Sequence, residues 1–170
     1  MKHIILVSFA FILGLYAYSQ TQYTISNDGT NKILKGILSR DLIEKDSTFT
    51  WCRKNRAGYV PNQFTVSTLK KNKSQVQLIV FGGTWCDDSK NILPKLFSIL
   101  DAASFPSNQL TIVGVDRDKK SISNLSEELH IENIPTLIVF KDGKEAGRVI
   151  DYGKEGHWDE EIGNIVSNTK

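Results

Sequence analysis

Residues 76–90 read VQLIVFGGTWCDDSK, and the division of this stretch decides the fold. VQLIVF, 76–81, is a near-continuous apolar run of strand length, the pattern of a strand buried on both faces of a sheet. Gly82-Gly83-Thr84 breaks it. From Cys86 to about Ala103, the residues Ile92, Leu93, Leu96, Ile99 and Leu100 recur at helical spacing. Asp87 and Asp88 then fall in the first turn, where carboxylates suit the positive end of the helix dipole. A strand–loop–helix unit of this kind sets Cys86 at a helix N-terminus, where unsatisfied backbone N–H groups favour a thiolate.

Toward the C-terminus, LTIVGV (110–115) predicts a second strand and 121–130 a second helix. Pro135 precedes a third strand, TLIVF (136–140). Asp142-Gly143 is a hairpin signal, and 145–150 pairs back as a fourth strand. Gly153 punctuates, and 155–168 closes the chain as a helix with Trp158, Ile162 and Ile165 on one side. The order β-α-β-α-β-β-α asks for a parallel unit with right-handed crossovers followed by an antiparallel hairpin, hence a small mixed α/β sheet covered by helices.

Toward the N-terminus the pattern differs. Residues 64–71 predict a short amphipathic helix, 53–63 are turn-rich, and 49–52 are a short apolar cluster. Between 31 and 44, the residues Ile33, Leu34, Ile37, Leu38, Leu42 and Ile43 predict one helix face. Residues 20–75 thus read as a mostly helical extension before a domain at 76–170. The Thr-Trp-Cys at 50–52 repeats that at 84–86, but the flanks differ and no internal repeat follows.

The chain of 170 residues suits one domain with a tail. Its 40% hydrophobic and 24% charged content is globular, and a net charge of +2 with short lysine runs excludes a nucleic-acid stripe. Lys2, an apolar run from Ile4 to about Leu15, then Ala17 and Ser19 match a signal peptide, 1–19, cleaved before Gln20. The run is short for a membrane span of about 20 residues, so no stable span is expected after cleavage; a retained anchor is the alternative. The expected location is periplasmic or secreted. Two cysteines, Cys52 and Cys86, then lie where disulfides persist, as one bridge, a catalytic pair or two separate thiols.

These motifs, taken in order, resemble the thioredoxin superfamily from roughly Val76 onward. The strand VQLIVF leads into Trp85-Cys86 as it does at the family's active site. Pro94 stands eight residues after the cysteine, where the family carries a helix-kinking proline. IENIPTLIVFKDGKEAGRV (131–149) is similar to the cis-proline loop and hairpin, and Gly153 to the glycine after the last strand. The resemblance implies a thioredoxin-like fold, a reactive Cys86 shielded by Trp85, and Pro135 in cis. It also implies a backbone at Ile134 offered to an extended substrate, with Asp87 and Asp88 on the same substrate side. From the residues alone, Pro135 equally reads as a strand-start proline.

The departures from the family matter as much. Ser89 replaces the resolving cysteine, and a hydroxyl cannot expel product from a mixed disulfide. It either hydrogen-bonds the Cys86 sulfur or is a helix-surface serine. Asp87 and Asp88 add negative charge beside that sulfur. Val80 stands where many thioredoxins bury an aspartate serving the second cysteine, so both are lost together. Three readings stay open. Cys86 acts as a monothiol exchanging with protein or low-molecular-weight thiols and disulfides. Alternatively Cys52, near Arg53, Lys54 and Arg56, resolves it, or the fold is a redox-inactive binding module. No cofactor is expected. No metal is either, since His130 and His157 lack ligand spacing. Asp116, Arg117 and Asp118 read as a solvated loop.

Overall fold

Both faces of the central strand are buried, and the other elements are arranged around that strand. In the computed structural model, which describes residues 22–169, six strands form one sheet in the order β1-β2-β4-β3-β5-β6. β3 (Val76–Gly82) runs parallel to β4 (Leu110–Gly114) and antiparallel to β5 (Thr136–Lys141). β6 (Lys144–Ile150) closes one edge by pairing with β5. Along β3 the side chains alternate between faces. Val76, Leu78 and Val80 enter the larger core, under α2 (Thr50–Arg56), α3 (Gln63–Asn72), α4 (Asp87–Ala102) and α6 (Trp158–Ser167). Ile79 and Phe81 enter a smaller core with Val113, Ile131, Ile134 and Ile138 on the face of α5 (Leu125–Glu128). Burial on both sides is why 76–81 reads as a near-continuous apolar sequence, broken only at the exposed Gln77.

The helix expected over 31–44 is instead strand β2 (Lys32–Leu38) followed by the short helix α1 (Arg40–Glu44), capped by Ser39. β2 sits between the edge strand β1 (Tyr23–Asn27) and β4, with Ile37 opposite Val113 and Leu38 opposite Ile112. An interior strand has both faces covered, so its apolar residues lose the period of two and mimic a helix stripe. Gly36, at φ +132, also adopts a backbone that only glycine takes easily, with an added Cβ 2.2 Å from Gln22 O. Residues 22–75 therefore contribute two strands to the sheet as well as three helices.

Two further expectations shift. The apolar cluster at 49–52 runs into α2, with Phe49 and Cys52 buried. The helix expected over 121–130 shrinks to α5 after a 3-10 turn, Ile122–Asn124, because Ser123 and Asn124 take left-handed conformations at φ +52 and +55. The expected leader, 1–19, lies outside the described residues. Among the described residues no helix is long and apolar enough to cross a membrane.

The close pairing of β2 with β4 is testable at Gly114, where an added Cβ would lie 2.3 Å from the Leu34 carbonyl oxygen. Gly114→Ala lowers stability by about 2–3 kcal/mol, the upper part of the overpacking range. The check is a lowered urea midpoint at unchanged slope; an unchanged midpoint would mean that β2 does not pack there.

Candidate functional site

β3 delivers the chain to a glycine turn from which α4 starts, and Cys86 is the N-cap of α4, with extended φ −83 and ψ 127. Its N–H donates to Gly83 O at 3.0 Å and its carbonyl accepts from Lys90 N at 2.9 Å. The sulfur is half-buried and lies 3.7 Å from Ile134 O, toward which the thiol donates. The Ile134–Pro135 peptide bond is cis, and Pro135 O accepts from Asp151 N at 2.8 Å. Cys86 and the 134–135 loop therefore face each other across the end of the sheet, although 48 residues separate Cys86 from Ile134.

Trp85 is held by several neighbours. Its Nε1–H donates to Val115 O at 3.0 Å. An added Cβ on Gly83 would lie 2.8 Å from the indole, so this glycine leaves the ring its place. The guanidinium of Arg117 lies over the ring, 4.6 Å from a ring centroid. Ser89 is fully buried, and its Oγ accepts from Gly83 N–H at 3.1 Å. The serine is thus not on the helix surface, and the hydrogen bond it makes among the described residues binds the turn rather than the sulfur.

The two aspartates part company. Asp87 is almost fully exposed and pairs with Lys90 at 3.0 Å. Asp88 lies near Asp151 and Tyr152: burial, then the charge of Asp88, pushes the Asp151 carboxyl above its ordinary value, with Lys119 partly opposing. Burial also pushes the Tyr152 hydroxyl up, with Asp88 and Cys86 adding to it. Tyr152 OH in turn accepts from Asn91 Nδ2 at 2.9 Å.

Cys52 is on α2 in the larger core, whereas Cys86 packs against the smaller one, and both thiols are free. Burial pushes the Cys52 thiol up; Glu44 adds to this, and Arg56 and Arg40 only partly oppose it. Of the basic neighbours expected to favour its thiolate, Arg53, Lys54 and Arg56, only Arg56 acts on it, and it is outweighed. Val80 is fully buried in the larger core. Among the described residues no group of three or more His, Cys, Asp or Glu side chains is placed to hold a metal ion.

Residues that the sequence did not single out complete the site. Thr84, buried beside the turn, donates to Lys32 O at 2.8 Å and accepts from Leu34 N at 3.1 Å, so its side chain bridges two backbone groups of β2. Arg117 Nε donates to Asp28 Oδ2 at 2.5 Å, and Asp116 pairs with Lys35 at 2.6 Å. The 116–118 loop is thus bound to the N-terminal hairpin rather than merely solvated. Only the adjacency of Thr84 to Trp85-Cys86 pointed toward any of these.

The thioredoxin family model matches residues 59–162, which takes in α3 as well as the part from Val76 to the first half of α6. The chain belongs to the thioredoxin family. A thioredoxin of Mycolicibacterium smegmatis is 32% identical over 84 residues, covering 49% of this chain and 72% of that protein. A bifunctional thioredoxin reductase/thioredoxin of Mycobacterium leprae (strain TN) is 30% identical over 105 residues, covering 62% of this chain and 21% of that longer protein. The crystal structure of Fasciola hepatica thioredoxin, 24% identical, covers 58% of this chain and 88% of its own, with a TM-score of 0.41. This member of the thioredoxin family has a thioredoxin-like fold, and its Trp-Cys-x-x-Ser stretch, 85–89, carries one cysteine.

Thr84 gives a direct test of the bridge to β2. Thr84→Val keeps the shape but leaves Leu34 N–H unpaired in a buried place, and it costs about 1–3 kcal/mol. The checks are a lowered denaturation midpoint and faster amide hydrogen exchange at Leu34; unaltered exchange there would show that the bridge is absent.

Proposed function

We propose that this protein is a thiol–disulfide oxidoreductase that works through one thiol, Cys86, by mixed-disulfide exchange. The observation that carries the proposal is a half-buried cysteine at a helix N-cap, beside a cis-proline loop, with a buried and hydrogen-bonded Ser89 in the place of a second thiol. The Cys86 thiol loses its proton to solvent, and the thiolate attacks a partner disulfide R–S–S–R′. A Cys86–S–S–R bond forms as the partner S–S bond breaks, and R′–S⁻ leaves to take up a proton. An outside thiol then attacks as thiolate, releases Cys86 and carries R away as a new disulfide. The outside thiol replaces the internal one of a dithiol motif, so partners are protein or low-molecular-weight thiols and disulfides.

Cys52 has no part in this reading. A protonated thiol in the core is a poor nucleophile, and burial holds Cys52 in that form. The leader-like character of residues 1–19 supports the further proposal that the protein works in the cell envelope, where disulfide substrates persist.

The test is trapping by a peptide disulfide, read by intact mass. The native protein and Cys52→Ser each gain one adduct, and Cys86→Ser gains none. A Cys86 no more reactive folded than in denaturant would sink the enzyme reading and leave a binding module. A second variant probes the missing thiol. Ser89→Cys restores a second sulfur within the motif, and the adduct on Cys86 is then lost much faster by intramolecular attack. An adduct equally long-lived in that variant would mean that resolution is not what the motif lacks.

A further inference from the structure

We propose that Arg117, held by Asp28, is a positioning residue for the Cys86 site, fastening Trp85 beside the sulfur and making the N-terminal hairpin part of that site. The proposal rests on the reading of Cys86 as the reacting thiol.

Two contacts converge on Arg117. Its guanidinium lies 4.6 Å from a ring centroid of Trp85, and through Nε and Nη2 it binds Asp28 Oδ2. Asp28 is fixed in turn. Its other carboxylate oxygen accepts from Asn31 N at 3.1 Å, its N–H donates to Asn31 O at 3.1 Å, and its carbonyl accepts from Thr30 N at 2.9 Å. One carboxylate thus closes the β1–β2 turn and anchors the arginine together. Asn31, in the same turn, accepts from Lys90 Nζ at 3.3 Å, and Lys90 lies one helical turn after Cys86. The hairpin thereby reaches the site on both sides of the cysteine, with Thr84 bound to β2 as a third point.

Stability is a poor explanation for the Asp28–Arg117 pair. Both side chains are partly exposed, and such pairs contribute little to global stability. What the pair does locally is larger. Trp85 is the residue before Cys86, and its indole has Val115 O and Gly83 as further neighbours. Without Arg117 the ring loses a cation over its face and gains freedom to move against the sulfur and the approaching disulfide. Arg suits this place better than Lys, since a planar guanidinium can stack on the ring and bind a carboxylate at once.

The experiment uses the full chain labelled with 5-fluorotryptophan, which carries three tryptophans, Trp51, Trp85 and Trp158. Trp85→Phe assigns the Trp85 fluorine resonance. Arg117→Ala shifts that resonance, leaves the other two in place and slows disulfide exchange at Cys86 by about tenfold, a part of the roughly hundredfold that misplacing reacting groups by about 1 Å can cost. Asp28→Asn moves the same resonance in the same direction. Arg117→Lys keeps the ion pair but not the stacking, and recovers only part of the rate. An unmoved Trp85 resonance, or a moved one with native exchange rate, overturns the proposal. An inert Cys86 in the unsubstituted protein instead overturns the reading on which it rests, and the proposal falls with it.

Discussion

Burial of β3 on both faces is the constraint on which the rest of the structure depends. A strand covered on both sides cannot slip by one residue without exchanging the two side-chain sets between cores of different size. Val76, Leu78 and Val80 belong to the larger core, Ile79 and Phe81 to the smaller. The register of β3 therefore fixes where the chain leaves the sheet, and so where Cys86 stands at the start of α4. The same register opposes Phe81 to Thr136, which brings the cis-proline loop to the same end of the sheet. The Cys86 thiol and the loop beside it are products of one packing decision.

With that geometry set, the chemistry depends on what each side chain has left to offer. Ser89 accepts from the Gly83 N–H and is enclosed. It acts as a structural tie where a dithiol enzyme would carry a second sulfur. Val80 fills its place beneath with a hydrocarbon, which suits a site with no second thiol to deprotonate. Cys52 is removed from competition by burial rather than by distance in sequence. Under the proposed function these three features describe one device: a cysteine that forms mixed disulfides and leaves their resolution to an external thiol.

The N-terminal hairpin extends the sheet and also reaches the site. Thr84 satisfies two backbone groups of β2, the Asp28 turn holds Arg117 over Trp85, and Asn31 meets Lys90. Each hydrogen bond that the hairpin makes here joins segments 50 or more residues apart. Such contacts leave no periodic trace, because they depend on a single side chain meeting a particular backbone or charged group after the sheet has formed.

Sequence by itself determined the central unit. The near-continuous apolar run 76–81, the glycine break, the helical spacing after Cys86 and the hairpin at Asp142-Gly143 are local patterns tied to local geometry, and they located β3, α4, β5 and β6. The Trp-Cys-x-x-Ser motif likewise marked the candidate site. Tertiary structure alone decided that 32–38 is a strand, because double burial erases the period that separates strand from helix and only pairing with β4 resolves it. It also decided that Ser89 faces a backbone amide, that Cys52 is locked in the core, and that Arg117 lies over Trp85. Those outcomes depend on which distant groups become neighbours, and burial and hydrogen bonding act on neighbours in space.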